Sequence, residues 1–406
     1  MHKANSQMDH SRQQTQGSVA EVFRAFLKLG ITSFGGPIAH LGYFRDELVI
    51  RRKWLSDTAY ADLVALCQFL PGPASSQVGF ALGLMRAGWG GALAAFLAFT
   101  LPSALFLLVL ALTASHLENL WSLGARHGLK IVAVAIVAQA VWGMAHNLCP
   151  DKERVAIAVA AVILLAVAPG AGGMMGAILL GAAAGLGLGR GQARTGAQLA
   201  VPVSRGAGLV ALAVFVALLA GLPVLAGLGQ GFALADSFYR AGSLVFGGGH
   251  VVLPLLQTET VAPGWVSNDA FLAGYGAAQA VPGPLFTFAA WLGAVMKPEP
   301  NGIAGAAIAL LALFLPGFLI LIGALPFWDQ LRHRVWAQSA MQGANAAVVG
   351  ILGMALYTPV FTSAIGGLPD LAVALICFVA LVAWKTPPWV VVLLAAAGGV
   401  ALRWIP

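Results

Sequence analysis

Long apolar runs separated by short charged loops are the main pattern along this chain. A helix that crosses a bilayer needs about 20 consecutive, mostly apolar residues. The pattern therefore predicts membrane-spanning helices at about 89–114, 129–148, 154–169, 172–189, 207–228, 302–326, 370–384 and 388–403.

Two further apolar segments, 57–85 and 269–297, are each interrupted by the tripeptide Pro-Gly-Pro. Proline removes a backbone donor, and proline with glycine stops a helix. Each piece, at about 13 residues, is shorter than a bilayer span. Each pair of pieces is therefore predicted to form either one broken span or a re-entrant hairpin. Ser56 and Asp57 fit the cap of the first piece.

The interrupted segments belong to an internal duplication with an offset of about 210 residues. Phe-Gly-Gly begins at Phe34 and again at Phe246, and a Glu, a Trp and a Gln follow before each Pro-Gly-Pro. Paired Pro/Gly-interrupted segments in two halves point to the binding site of a secondary transporter. The predicted organisation is a disordered polar tail at 1–18, a first repeat at 19–190, a basic loop and linker helix at 191–230, and a second repeat at 231–406.

Charged loops indicate that the two repeats have opposite orientations. The loop before the first interrupted segment carries Arg51, Arg52 and Lys53, whereas the equivalent loop of the second repeat has no basic residue. Basic loops stay in the cytoplasm, so the two loops should lie on opposite sides of the membrane. The loop with Arg126 and Lys130 is an exception. We expect inverted-topology repeats with about ten to twelve membrane segments.

Composition indicates an all-α polytopic membrane protein. Apolar residues make up 59% of the 406 residues and charged residues 9%, against about 25% charged residues in a soluble domain. The net charge of +7 lies largely in short loops, so it does not indicate a nucleic-acid partner. The sequence contains no nucleotide-binding loop, no Cys/His cluster and no catalytic acid–base set. We therefore expect no cofactor, no metal and no enzymatic activity.

The two helix breaks are the main candidates for a substrate site. A helix that restarts after Pro73 or Pro284 presents free amides and the positive end of its dipole, which suit an anion. Ser75, Ser76 and Thr287 would add hydroxyl donors. The alternative is a kink that only helps the helices to pack.

Glycines and histidines near the breaks extend this candidate site. The Phe-Gly-Gly stretches would form a side-chain-free wall, a hinge, or only a close helix contact. The two histidines are not equivalent in the duplication, and each is either a substrate or proton contact or a structural residue. The candidate substrate-binding residues are Lys28, Gly35, Gly36, His40, Arg45, Gln68, Pro71, Gly72, Pro73, Ser75, Ser76, Arg240, Gly247, Gly248, His250, Gln279, Pro282, Gly283, Pro284 and Thr287.

Charged residues recur at equivalent positions of the two repeats: Lys28 with Arg240, and Glu47 with Glu259. An ionisable group at membrane depth is a functional candidate. The cations, with Arg45, would offset the charge of an anion, and the two carboxylates would carry a coupled proton. Alternatively, these short amphipathic helices lie at the membrane interface and their charged groups reach water.

A family resemblance rests on motifs that cover nearly the whole chain: Phe34-Gly35-Gly36-Pro37, Arg51-Arg52-Lys53-Trp54-Leu55, Gln68-Phe69-Leu70-Pro71-Gly72-Pro73, and the Phe-Gly-Gly-Gly-His and Ala-Val-Pro-Gly-Pro runs of the second repeat. With them the chain resembles the chromate ion transporter family, in its long-chain type with two fused halves. The resemblance implies export of chromate across the bacterial cytoplasmic (inner) membrane, chromate resistance, a link to sulfate and drive by the proton-motive force.

Two departures from repeat symmetry favour unequal half-sites. Gly249 stands where the first repeat has Pro37, and Phe286 and Thr287 follow the second break where the first has two serines. We expect the first repeat to contribute more to the substrate site. A sulfate or molybdate uptake carrier and an anion channel remain alternatives, because re-entrant helices also occur in channels. Whether the chain forms a homodimer is left open.

Overall fold

The computed structural model describes residues 17–114, 120–191, 202–246, 248–331 and 334–402, and it contains no strand among them. The predicted tail at 1–18 lies almost entirely outside the described residues. The predicted all-helical class is confirmed.

The helices of the first half follow the predicted order. The first short helix ends at Thr32, and the second begins at Gly36 and continues as a π-helix. Their bounds are α1 Val19–Thr32, α2 Gly36–Phe44 with the π-helix Arg45–Arg51, α3 Asp57–Phe69, α4 Ala74–Ala114, α5 Leu120–Leu148, α6 Lys152–Val167, α7 Ala171–Leu188 and α8 Arg205–Leu225, which a 3-10 turn extends over Ala226–Leu228.

The second half repeats this order. Short 3-10 turns at Gly249–Val251, Leu285–Thr287 and Leu325–Phe327 and a π-helix at Leu356–Phe361 connect or extend its helices. The helices are α9 Gln230–Ser243, α10 Val252–Thr260, α11 Asn268–Gln279, α12 Phe288–Val295, α13 Gly302–Ala324, α14 Trp328–Leu331, α15 Val335–Ala355, α16 Thr362–Ala364, α17 Leu368–Val382 and α18 Pro388–Leu402.

Short polar side chains begin several of these helices. The side chains of Ser18, Ser56, Asp151, Ser204 and Ser267 each accept a hydrogen bond from a backbone amide in the first turn of their helix. These caps satisfy amides that have no partner within the helix. Ser56 and Ser267 begin the two interrupted segments, so the prediction for Ser56 is confirmed and its repeat equivalent has the same role.

Helix α5 begins at Leu120, earlier than the predicted position 129. The extra turns contain polar residues, among them His127, that the hydropathy pattern excluded from the span, and Lys130 lies just inside the predicted start. His127 Nε2 lies 2.8 Å from an oxygen of Asp370, and Lys130 donates to Asp269 at 2.7 Å. Partners from the second repeat therefore allow these polar residues within the helix.

Helix α4 contains a sharp turn where the sequence predicts two helices. Ala87 and Gly88 have non-helical backbone angles, and Gly88 has a φ of +65°. Gly83 and Gly91, on either side of the turn, approach so closely that a Cβ on one would clash with the carbonyl of the other. Gly293 and Gly305 make the same approach between α12 and α13, so both repeats fold back at the same point.

The last helices of each half pack mainly against the other half. Helix α5 packs against α17 and α18, while α15, its counterpart, packs against α6 and α7. Small residues allow this contact, because a Cβ on Gly128 would meet the backbone of Ala395 and one on Gly343 would meet that of Gly181. The exchange joins the two halves into one helical body.

Six helical segments of the described chain are long and apolar enough to cross a membrane: Ala74–Thr113, Leu123–Leu148, Ala171–Leu188, Arg205–Leu228, Gly302–Gln330 and Val335–Ala364. Three shorter apolar segments, Leu285–Val295, Leu368–Val382 and Pro388–Leu402, lie among them. The protein is therefore a multi-pass membrane protein. Helices α1, α2, α3, α6, α9, α10 and α11 are outside this set of segments, so the span predicted at about 154–169 is not among them.

Candidate functional site

The backbone of both Pro-Gly-Pro tripeptides lies between two helices. Helix α3 ends at Phe69 and α4 begins at Ala74, while α11 ends at Gln279 and helical structure resumes at Leu285. Gly72 has a φ of +120° and Gly283 a φ of +100°. Only glycine adopts these angles without strain.

Each Pro-Gly-Pro lies against the residue before Phe-Gly-Gly of the other repeat. The amide of Gly72 donates to the carbonyl of Val245 at 2.8 Å, and the amide of Gly283 donates to the carbonyl of Ser33 at 2.9 Å. Because Ser33 precedes Phe34 and Val245 precedes Phe246, the two hydrogen bonds are equivalent in the duplication. Each break of one repeat therefore meets the start of the Phe-Gly-Gly stretch of the other repeat.

Neighbouring contacts follow the same reciprocal pattern. A Cβ on Gly72 would lie 2.9 Å from Gly317 Cα, and a Cβ on Gly283 would lie 2.8 Å from Ser103 Oγ. Ser103 and Gly317 each follow the proline of a Leu-Pro pair, at equivalent positions of the two repeats. Close approach at this crossing requires glycine at both breaks.

The two Phe-Gly-Gly stretches also approach each other. Gly35 and Gly36 have φ values of +98° and +77°, and Gly248 has a φ of +147°. A Cβ on Gly249 would lie 3.1 Å from the Pro37 ring. Gly247 lies outside the described residues.

The two candidate histidines have different partners. His40 is fully buried, and its Nδ1 lies 3.4 Å from Ser75 Oγ at the start of α4. His250 Nδ1 lies 2.7 Å from the hydroxyl of Tyr275. His40 is therefore adjacent to the first break, whereas His250 contacts α11.

Several buried polar atoms of first-repeat residues around the two breaks have no hydrogen-bond partner among the described residues: Ser33 Oγ, His40 Nε2, Ser76 Oγ, Gln77 Oε1 and Thr100 Oγ1. Gln279 Nε2, at the end of α11, is also buried without a hydrogen-bond partner among these residues. Buried polar atoms are normally paired, and exceptions need an explanation. A bound anion would satisfy the donors in this group.

The candidate charges lie in ion pairs. Glu47 accepts from Lys28 at 2.9 Å, from Arg51 at 2.8 Å and from Arg52 at 2.9 Å. Burial would raise the pKa of Glu47, but hydrogen bonds from Lys28 and Arg52 outweigh this effect and hold the pKa below its usual value. This carboxylate, which lies outside the candidate spans, is held ionised.

The second repeat has an equivalent but weaker ion pair. Arg240 donates to Asp236 at 2.7 Å and to Glu259 at 3.1 Å. Burial raises the pKa of Glu259, which also lies outside the candidate spans, and Arg240 only partly opposes this effect. The two equivalent glutamates therefore differ in their tendency to hold a proton.

Two predicted site residues lie at the surface. Arg45 pairs with Asp57, and both side chains are about half exposed. Gln68 is exposed on α3. The structure brings the glycines, His40, Ser75, Ser76 and the breaks together, and it leaves these two residues and the paired charges outside that group.

The chromate transporter family matches the chain twice, at residues 20–188 and 232–400. The chain belongs to the chromate transporter family. This double match confirms the resemblance to the long-chain type with two fused halves. Because the family consists of membrane transporters, the expectation that this chain is not an enzyme is also confirmed. No solved structure matches the chain.

Full-length relatives support this membership. The chain is 29% identical to a chromate transport protein of Pseudomonas aeruginosa, over 94% of this chain and 91% of that protein. It is 28% identical to a probable chromate transport protein of Synechococcus elongatus, over 94% and 95% of the two chains. A chromate transport protein of Cupriavidus metallidurans is 26% identical over 80% and 79%.

Sequence reasoning missed several residues at the centre of this chromate transporter family member. Ser33 directly precedes Phe-Gly-Gly, and Thr100 directly precedes the Leu101-Pro102 pair. Their positions beside repeated motifs were the available signal. Gln77 was missed because only the folded chain shows that its side chain reaches the carbonyls of Pro71 and Gly317.

Proposed function

We propose that this chain is a secondary active transporter that exports chromate from the bacterial cytoplasm across the inner membrane and so confers chromate resistance. The anion would bind where the two Pro-Gly-Pro breaks meet the two Phe-Gly-Gly stretches. Family membership supports chromate as the substrate. The convergence of all four motifs on one region with buried, unpartnered donors is the observation that carries the choice of site.

The proposed site binds the anion mainly through neutral donors. Ser76 and the histidine next to Ser75 have unpartnered polar atoms there, and a tetrahedral oxyanion has several oxygens to accept such bonds. Lys28 lies five residues before Ser33, about 7.5 Å along the helix axis. Lys28 and its counterpart Arg240 would therefore attract the anion at a distance and need not contact it.

Proton coupling would use Glu259 rather than Glu47. Three cations around Glu47 favour its ionised form, whereas burial of Glu259 favours its protonated form. Protons moving inward would drive chromate outward. Each transported proton would bind to the Glu259 carboxylate of the second repeat.

Inverted repeats would explain how one site opens to both sides. The exchange of equivalent contacts between the halves supports a pseudo-two-fold relation, and the basic loop of the first repeat supports an axis in the membrane plane. We propose that the interrupted segments and the shorter apolar helices bring the number of membrane segments to about ten to twelve.

Uptake of labelled chromate into everted membrane vesicles tests this function. Vesicles energised by respiration should accumulate chromate, a protonophore should abolish accumulation, and excess sulfate should inhibit it if the site accepts both dianions. Vesicles with Gly72→Leu, with the protein still present in the membrane, should not accumulate chromate.

Other outcomes would change the proposal. Chromate or sulfate accumulation only in right-side-out vesicles would indicate an uptake carrier. Anion currents without exchange of labelled for unlabelled substrate would indicate a channel. Normal accumulation by Gly72→Leu would show that the site lies elsewhere.

A further inference from the structure

We propose that the fused chain has one anion site rather than two, that Ser33 and Thr100 of the first repeat belong to it, and that phenylalanine side chains close the equivalent position of the second repeat. This inference rests on the proposed function and identifies which side of the central region holds the anion.

Ser33 links the two repeats at this site. Its carbonyl accepts from the amide of Gly283, and its backbone also lies beside the His40 side chain. The Ser33 side chain is fully buried, yet its hydroxyl has no partner among the described residues. The Ser33 hydroxyl, on a residue that contacts both Gly283 and His40, is therefore available to donate to a ligand.

Thr100 lies on α4, and contacts of its neighbours connect it to this region. Its neighbour Phe99 packs edge-on against the His40 ring with 5.4 Å between centroids. Its carbonyl accepts from Ser103 Oγ, which faces Gly283. The Thr100 side chain is buried and its hydroxyl is unpartnered. Backbone contacts thus connect Thr100 to the same region as Ser33.

The second repeat has apolar residues at most of the equivalent positions. The motif alignment places Val245 opposite Ser33, Val252 opposite His40, Phe286 opposite Ser75 and Phe314 opposite Thr100. The Phe286 and Phe314 rings pack against each other with 5.5 Å between centroids, and both are buried. By the motif alignment, these two rings correspond to the hydroxyl side chains of Ser75 and Thr100 in the first repeat.

The second repeat also has a hydroxyl directly after its break, and this hydroxyl bonds to the neighbouring backbone. Thr287, the counterpart of Ser76, donates to the carbonyl of Pro284 at 2.8 Å. Ser76 has no such bond. The duplication therefore preserves the backbone crossing in both repeats but leaves unpartnered donors mainly in the first.

Removing an unpartnered hydroxyl has a distinctive effect. Replacing Ser33 or Thr100 with an apolar residue breaks no hydrogen bond in the empty protein, so its melting temperature should stay the same or rise. A ligand that accepted from that hydroxyl would lose one neutral hydrogen bond, which corresponds to about 3- to 10-fold weaker binding. Replacing a purely structural residue would instead lower the melting temperature and leave the affinity for chromate unchanged.

The test is equilibrium binding of labelled chromate to the purified full-length protein, with melting temperature measured on each sample. Wild type should bind one chromate per chain. Ser33→Ala and Thr100→Val should bind chromate about 3- to 10-fold more weakly than wild type. Thr100→Ser, which keeps the hydroxyl, should bind chromate as tightly as wild type. Thr32→Val and Thr113→Val are matched controls, because their hydroxyls donate to the backbone carbonyls of Lys28 and Val109.

Two chromates per chain, wild-type affinity in both Ser33→Ala and Thr100→Val, or no binding of chromate to wild type would each overturn the inference. Vesicle transport separates it from the proposed function. One bound chromate per chain without energised accumulation would refute export and leave the site standing. Normal accumulation with an unchanged KM for chromate in both variants would refute the site and leave export standing.

Discussion

The side-chain amide of Gln77 donates a hydrogen bond across the two repeats to the carbonyl of Gly317 at 2.8 Å. The same nitrogen donates to the carbonyl of Pro71 at 3.0 Å. A break in a membrane helix leaves carbonyls without partners, and these must be satisfied by protein or water. Gln77 supplies that partner and ties the first break to the second repeat.

Replacement of Gln77 by methionine should therefore destabilise the protein and reduce chromate transport. The change keeps the length of the side chain but removes this donor from one buried and one partly buried carbonyl, at a cost of about 1–3 kcal/mol in the free energy of unfolding. Thermal unfolding in detergent and vesicle transport would measure both effects. Gln139→Met, on α5, is the control, and a wild-type melting temperature in Gln77→Met would contradict the bridging role.

A methyl group at Gly72 should be far more damaging than one at Gly88. Both glycines have positive φ, so alanine is strained at each. At Gly72 the added Cβ would also lie 2.9 Å from Gly317 Cα, whereas nothing lies within 4 Å of one at Gly88. We expect Gly72→Ala to lose most chromate transport and Gly88→Ala to retain it. Equal loss in the two variants would show that strain alone, not the crossing, matters.

Loss of Glu47 should destabilise the protein more than loss of Lys28. Glu47→Gln leaves Lys28, Arg51 and Arg52 close together without their shared anion, and like charges repel. Lys28→Met leaves Glu47 with two cations. We expect a lower melting temperature for Glu47→Gln at low salt, and a smaller difference in high salt because salt screens exposed charges. The opposite order would contradict this view of the cluster.

Glu259 should make stability depend on pH. Its pKa is raised above the usual 4.5, so between those two values the folded protein holds a proton that the unfolded chain has released. The free energy of unfolding then falls as pH rises through this window. Asp236 and Arg240 are the charged groups that face Glu259, and Glu259→Gln leaves both in place.

Melting temperature measured against pH checks this prediction. Glu259→Gln should not show the loss of stability above pH 4.5 that Glu259 causes in wild type. Glu47 should have the opposite effect, because its pKa is lowered and the stability that it gives is lost as pH falls. Glu47→Gln should therefore remove a loss of stability at low pH. Identical pH profiles for wild type and Glu259→Gln would show that folding does not raise the pKa of Glu259.

The sequence alone was sufficient for the elements whose cause is local. The length of the apolar runs predicted where the long helices lie. Ser56 predicted the start of α3, and Pro-Gly-Pro predicted where α3 ends and α4 begins. The duplication and the family followed from motif spacing. Local backbone chemistry and the thickness of the bilayer act on neighbouring residues, so these features need no knowledge of distant contacts.

Only the tertiary structure decided which residues meet. It pairs Lys28 with Glu47 and Arg240 with Glu259, residues that sequence reasoning had assigned separately to substrate and proton. It also brings Ser33 to Gly283, about 250 positions away along the chain. Equivalent sequences in two repeats predict equivalent backbones, but packing between the repeats determines which polar groups find partners. The helices could therefore be predicted from local sequence, whereas the site depends on contacts between residues that are distant along the chain.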